Sequence, residues 1–234
     1  MYPQNYNNYS GGQDALDMRV SHVMRNVYLK MFLALLVTTA ASFAVGAIPG
    51  LTYFLATHTW VYWGLLIVEL VMVYSISGGV KRMSGGVATG LFYLYAVLNG
   101  VVFSLIFCAY SFDSIFKTFL ITAGVFGAMS VYGYFTSNDL TKIGSFLYMA
   151  LFGLIICIVV NLFWSNGVLD WIISAAGVLI FIGLTAYDTQ KVKEWAQSGA
   201  MADSRLATIG ALSLYLDFVN LFLYLLRFFG SSRD

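Results

Sequence analysis

The chain has 234 residues, of which 60% are hydrophobic and only 10% are charged, and its formal net charge is +1. A soluble domain carries about 25% charged residues, so this composition excludes an ordinary soluble protein, and no basic patch points to nucleic acid. The apolar runs are too long for the alternating strands of a membrane β-barrel, so the sequence predicts an all-α protein embedded in a lipid bilayer.

The distribution of polar and apolar segments along the chain predicts a short tail followed by seven transmembrane helices. Residues 1–18 are polar and rich in Tyr, Asn, Gly and Gln, which predicts a disordered N-terminal tail. Residues 19–234 then form one transmembrane domain, because a helical span needs about 20 mainly apolar residues and the remaining chain has room for seven. The predicted spans are 27–47, 60–77, 87–108, 115–135, 144–164, 168–190 and 207–229.

The positions of Lys and Arg predict the orientation of the bundle, since cytoplasmic loops collect these residues. If the N-terminus lies inside, nine of the twelve Lys and Arg residues fall in inner segments, and only Lys117, Arg227 and Arg233 fall in outer ones. We therefore expect a cytoplasmic N-terminus and an outer C-terminus. The short tail and loops favour a bacterial inner membrane.

Three acidic residues lie within otherwise apolar segments: Glu69, Asp188 and Asp217. A carboxylate at bilayer depth costs at least ~2.5–3.5 kcal/mol on insertion scales, so each of the three is a candidate functional residue.

Asp188 and Asp217 are predicted to meet at one depth. The midpoint between their positions falls inside the turn region from Ser198 to Ser204, so a helical hairpin folded there brings both to similar depth. Two carboxylates in a low dielectric cannot both ionise cheaply, so we expect them to share a proton. The pair would act as a pH sensor or as a proton or cation site. Oxygen ligands of this kind suit calcium, although Asn220, carbonyls and water would have to complete the shell.

The last span also carries a polar stripe at spacings of three and four residues. Such a stripe on one helix face indicates a bundle interior or a water-filled path. The alternative is that its small and polar residues hold helices together by close packing and hydrogen bonds. Its members are Gly210, Ser213, Asp217, Asn220, Tyr224 and Arg227.

Glu69 lies in the middle of the second span, and its predicted partner is Arg227 near the outer end of the last span. The ion pair would either lock two helices or take part in transport. Asp217 and Arg227 are ten residues apart, which is ~15 Å along a helix, so the two acidic sites would form separate layers.

Two segments resemble the transmembrane Bax inhibitor motif family. They are Ala186-Tyr187-Asp188 and the stretch that runs from Leu212 through Leu214-Tyr215-Leu216-Asp217-Phe218 to Gly230, and a weaker resemblance covers nearly the whole chain after residue 20.

The resemblance implies six helices around a central C-terminal helix. It also implies a pH-sensitive calcium leak in which Asp188 and Asp217 sense pH, with calcium as the transported or bound ion and no other cofactor. In that family an arginine near the inner end of the second helix can latch the aspartate pair. The basic residues found there are Lys81 and Arg82, which are displaced from the family position.

Three other functions stay open at this point. The family is linked to suppression of cell death and to regulation of a membrane protease, so the chain could be an interaction protein that modulates such a partner. An ion-coupled exchanger could use the same carboxylates. An intramembrane aspartyl protease would also place two aspartates on adjacent spans, but the Gly-x-Gly-Asp element expected there is replaced by Leu214-Tyr215-Leu216-Asp217. We therefore expect no enzymatic activity.

Overall fold

A computed structural model describes residues 6–199 and 201–230, and the protein is a bundle of α-helices throughout this part of the chain. The helices are α1 (Tyr6–Gly46), α2 (Pro49–Thr57), α3 (Thr59–Gly79), α4 (Gly85–Phe103), α5 (Ile106–Ala109), α6 (Phe112–Phe135), α7 (Thr141–Trp164), α8 (Gly167–Ser198) and α9 (Asp203–Phe229).

Seven helical segments are long and apolar enough to cross a membrane: α1, α3, α4 continued through α5, α6, α7, α8 and α9. The predicted all-α membrane bundle is therefore confirmed. The short helices α2 and α5 lie at one end of the bundle, which we call the α5 end. The turn between α8 and α9 lies at the opposite end, which we call the α8–α9 end.

The helix boundaries follow local capping chemistry. Ser84 and Ser111 accept backbone N–H bonds at the starts of α4 and α6, and Asn166 accepts two at the start of α8. Gly199 closes α8 with a φ of 65°, a left-handed conformation that favours glycine. The α8–α9 turn thus falls inside the predicted segment from Ser198 to Ser204.

The predicted disordered tail differs from the structure. Residues 1–5 lie outside the described residues, but residues 6–18 form the beginning of α1 rather than a disordered segment. Helix propagation costs little once a nucleus exists, and the apolar part of α1 supplies that nucleus. No proline follows Pro3 in this segment to stop the helix.

The last helix is the core of the bundle. Helix α9 packs against α1, α4, α6 and α8, while α3 packs mainly on α4 and α7 mainly on α8. Two-thirds of the apolar window of α9 is buried, more than in any other described span. The central C-terminal helix is therefore in its predicted place.

Tyr215 at the centre of α9 is fully buried and links three helices. Its hydroxyl lies 2.7 Å from Thr38 Oγ1 of α1, and its ring meets Phe92 and Tyr95 of α4 edge-on. Thr38 Oγ1 also lies 2.9 Å from the carbonyl oxygen of Ala96. A hydroxyl network therefore joins α1, α4 and α9 in the apolar interior.

We expect the change Thr38→Val to lower the free energy of unfolding by about 1–2 kcal/mol, because it leaves the buried Tyr215 hydroxyl without its partner. The neighbouring change Thr39→Val is the control, since Thr39 is exposed and bonds only the carbonyl of Leu35 in its own helix. Denaturant titration of both purified variants measures the difference. Equal stability of the two would show that the network contributes nothing.

Candidate functional site

Asp188 and Asp217 lie together in the interior, on the antiparallel helices α8 and α9. Their exposed fractions are 4% and 3%. Ser213 Oγ donates a hydrogen bond to Asp188 Oδ2 at 2.6 Å, and Ser213 is one helical turn from Asp217 on the same face of α9. The two carboxylates are close enough for their charges to interact. The structure thus brings together the two aspartates that the sequence analysis singled out.

The two carboxyl groups are held very differently. Asp188 accepts on both oxygens, because Tyr148 of α7 donates to Oδ1 at 3.2 Å and Ser213 donates to Oδ2. Asp217 Oδ2 is buried and has no hydrogen-bond partner among the described residues. Buried polar atoms are nearly always paired, so an oxygen without a partner in the protein makes Asp217 a candidate functional residue. Asp188 is therefore held in place by two hydrogen bonds, whereas Asp217 Oδ2 is held by none among the described residues.

Lys191 is a charged neighbour that the sequence analysis used only for orientation. It follows Asp188 by three residues on α8, and the charges of the two interact. Its ammonium nitrogen lies over the rings of Tyr148, Tyr187 and Trp195, at 5.7, 5.1 and 5.1 Å from their centroids. Tyr187 and Trp195 stand four residues before and after Lys191, a helical spacing that could have predicted the contacts.

The predicted latch residues do not reach the pair. Lys81 and Arg82 are exposed where the chain turns after α3, and no hydrogen bond or ion pair in the described residues joins them to Asp188 or Asp217. The backbone carbonyl of Lys81 accepts a bond from Arg205 instead. Because both residues follow the end of α3, their side chains lie at the bundle surface. The cation that the structure brings to Asp188 is Lys191.

The predicted ion pair between Glu69 and Arg227 is wrong. Arg227 pairs with Asp170, donating from Nε to Oδ2 at 2.9 Å with Nη2 against Oδ1. Arg227 lies in the last turn of α9 and Asp170 in the first turn of α8, so antiparallel packing puts them side by side at the α5 end. Glu69 lies deeper, in the middle of α3, and faces α4.

A double-mutant cycle tests the pairing of Arg227 with Asp170. We expect Arg227→Gln and Asp170→Asn to show a coupling energy of about 0.5–1 kcal/mol, since both side chains are more than a third exposed. The matched cycle of Arg227→Gln with Glu69→Gln should show none. Stability of the wild type, the three single variants and the two double variants in one detergent gives both coupling energies. A coupling energy between Arg227 and Glu69 larger than that between Arg227 and Asp170 would show that Glu69 is the partner of Arg227.

The polar stripe of α9 divides between helix packing and a cavity. Gly210 allows close contact with Val192 of α8, and Tyr224 packs on Gly177 and stacks on Phe181 of α8. These contacts fit the alternative in which the stripe holds helices together. Asn220, by contrast, lines a cavity of about 780 Å³.

That cavity lies between α2, α3, α4 and α9, at the α5 end of the bundle. Most of its walls are apolar. Its polar lining groups include Tyr62, Glu69, Tyr95, Asn99 and Asn220. Asn220 is three residues from Asp217, an axial rise of ~4.5 Å, so the cavity reaches within about one turn of the aspartate pair.

Comparison with known proteins agrees with this architecture. Residues 20–234 match the family described as "Inhibitor of apoptosis-promoting Bax1". This chain belongs to that family. Among its relatives, "Inner membrane protein YbhL" of Escherichia coli is 42% identical over 214 residues, covering 90% of this chain and 92% of the relative.

Two further bacterial proteins are similar over nearly the whole chain. A protein of Borreliella burgdorferi is also 42% identical over 214 residues, with the same coverage of 90% and 92%. A protein of Deinococcus radiodurans is 38% identical over 224 residues, covering 95% of each chain. Together with the seven apolar helices, these matches identify an integral membrane protein.

Proposed function

We propose that this protein is a pH-sensitive, calcium-permeable leak in a bacterial inner membrane, in which Asp188 and Asp217 share a proton and act as sensor and gate. In the proposed orientation the N-terminus is cytoplasmic and the C-terminus lies outside. The observation that supports the proposal is the pair itself: two buried carboxylates on neighbouring helices, one of them with an unpartnered oxygen.

The packing of α8 on α9 depends on the charge of the aspartate pair. A second negative charge in this dry interior raises the free energy of the closely packed arrangement, because the two carboxylates repel each other there. Protonation of the pair therefore biases the equilibrium between packings of α8 and α9. A small free-energy gap between a closed and an open packing is enough for such a switch.

The chemistry of the pair also supports the choice of ion. Carboxylate and amide oxygens are the ligands that calcium takes in proteins, and Asn220 stands one turn from Asp217 on α9. The relative named "Inner membrane protein YbhL" supports the proposed membrane, and the distribution of Lys and Arg supports the orientation.

Calcium flux into liposomes that contain a calcium indicator tests the proposal. We expect flux through the wild-type protein to change with pH, and we expect this dependence to be lost in Asp217→Asn and in Asp188→Asn. The control is Asp113→Asn, since Asp113 is exposed and pairs with Lys117 in its own helix. Flux equal to that of empty liposomes at every pH, or an unchanged pH dependence in Asp217→Asn, would contradict the proposal.

Further measurements separate the rival functions. Flux that follows a counter-ion gradient would make the protein an exchanger. Wild-type behaviour of both aspartate variants, together with co-purification of a membrane protease, would make it an interaction protein. Cleavage of a helical substrate that disappears in Asp188→Asn would make it a protease, although Leu216 stands where such enzymes need glycine.

A further inference from the structure

The cavity at the α5 end holds two buried oxygen atoms that nothing in the described part of the chain satisfies. Glu69 Oε1 of α3 and Asn99 Oδ1 of α4 both lack a hydrogen-bond partner, and their side chains are only 8% and 5% exposed. Both residues line this one cavity. Two unpaired acceptors on adjacent helices, facing the same space, require a donor or a cation there.

The two asparagines of the cavity are oriented as acceptors. Asn99 Nδ2 donates to the hydroxyl of Tyr95 at 3.1 Å, and Asn220 Nδ2 donates to the carbonyl of Leu216 at 2.8 Å. Each amide group thereby places its NH₂ on a protein acceptor and keeps its oxygen for another ligand. A carboxylate and two amide oxygens from α3, α4 and α9 are the hard ligands that calcium and magnesium prefer.

The charge of Glu69 is not balanced within the cavity. The described residues that line it include no Lys, Arg or His, and the nearest candidate from the sequence, Arg227, is paired with Asp170 instead. The cavity volume of about 780 Å³ leaves room for a cation together with several of its waters. A site with a single carboxylate is expected to bind a cation weakly. Weak binding suits an entry site, because ions must also be able to leave it.

We propose that Glu69, Asn99 and Asn220 form a binding site for a hydrated divalent cation at the mouth of the pathway. The role of this site in transport rests on the proposed function. In that function, the site would bind ions about one helical turn from Asp217 before they reach the aspartate pair. Its charged residue, Glu69, lies on α3 and Asn99 lies on α4, whereas the aspartate pair lies on α8 and α9. Asn220 of α9 stands between the two sites.

Terbium luminescence gives a local readout of binding. Terbium replaces calcium at oxygen sites and is excited through nearby tyrosine rings, and Tyr62 and Tyr95 line this cavity. The experiment uses the full-length protein in detergent, in the Asp217→Asn background so that the aspartate pair contributes little. We expect a sensitised signal that calcium displaces.

The variants assign the signal to the cavity. We expect Glu69→Gln to weaken terbium and calcium binding at least about tenfold, since it removes the one charge of the site. Asn99→Asp should strengthen binding, because it adds a second carboxylate, and this gain does not depend on the folding of the Glu69 variant. Glu194→Gln is the matched control, because Glu194 is the only other glutamate in the chain and is exposed at the far end of α8.

The outcomes separate this site from the proposed function. Calcium binding that is unchanged in both Glu69→Gln and Asn99→Asp overturns the site, and so does displacement of terbium by tetramethylammonium but not by calcium. Binding that is lost in Glu69→Gln in a protein that conducts nothing keeps the site and rejects the leak. Flux that depends on Asp217 but is indifferent to Glu69 at every calcium concentration keeps the leak and rejects the site.

Discussion

The change Gly133→Ala is expected to lower the free energy of unfolding by about 1–3 kcal/mol, because it overpacks the contact between α6 and α8. A Cβ atom built on Gly133 would collide with the backbone carbonyl of Ala186. A backbone atom inside a packed helix cannot rotate away as a side chain can, so the two helices must separate. The contact lies two residues from Asp188, and we expect the helix shift to disturb the aspartate pair as well.

Gly127→Ala on the same helix is the matched control for this prediction. No atom outside its own helix neighbourhood lies within 4 Å of a Cβ built on Gly127. We expect this variant to keep or gain stability, since alanine is the better helix former by up to about 1 kcal/mol. Thermal and denaturant unfolding of both purified variants gives the comparison. Equal changes in the two variants would mean that the α6–α8 contact at Gly133 is not what governs the effect.

Replacing the two aspartates by asparagine is expected to change the free energy of unfolding in opposite directions. We expect Asp217→Asn to raise the free energy of unfolding by about 1–3 kcal/mol, because it removes a buried carboxylate whose Oδ2 is unpaired and supplies an NH₂ donor beside Asp188. Asp188→Asn should lower it by about 1–2 kcal/mol. An amide offers one oxygen in place of the two that Tyr148 and Ser213 now use.

Unfolding of both variants in the same detergent at neutral pH tests this difference. Ser213→Ala serves as the control, since it removes one donor to Asp188 and leaves both carboxylates in place; it should lower stability. A loss of stability in Asp217→Asn as large as that in Asp188→Asn would show that Asp217 has a structural partner. A gain would fit a residue that is kept for function at a cost in stability.

The sequence predicted the features that depend on the chain's periodicity. Hydropathy located all seven spans, and the turn between Ser198 and Ser204 brought Asp188 and Asp217 into the same part of the interior, because an antiparallel pair of helices rises equally on both sides of its turn. The predicted common depth is off by about one turn, since Asp188 hydrogen-bonds Ser213, which lies four residues nearer the α8–α9 end than Asp217. The family match over residues 20–234 confirmed the resemblance found in the motifs around the two aspartates.

The errors concern side-chain partners across helices. The sequence predicts Arg227 as the partner of Glu69 because its long side chain could reach inward from the outer end of the last span. Asp170 at the start of α8 lies beside Arg227 once the helices pack and takes that place. Likewise Lys81 and Arg82 have the right charge for a latch, but the end of α3 turns their side chains to the surface. Such contacts depend on helix rotation and neighbour order, and neither can be read from hydropathy alone.

The central claim is that Asp188 and Asp217 share one proton, and infrared difference spectroscopy of the carboxyl stretch tests it most directly. Spectra of the purified protein recorded between acidic and alkaline pH should show one protonated carboxyl band that is altered in both Asp188→Asn and Asp217→Asn and is unchanged in Asp113→Asn. A band that persists unaltered in either aspartate variant of the pair, or two carboxyl groups that titrate independently, would contradict the account.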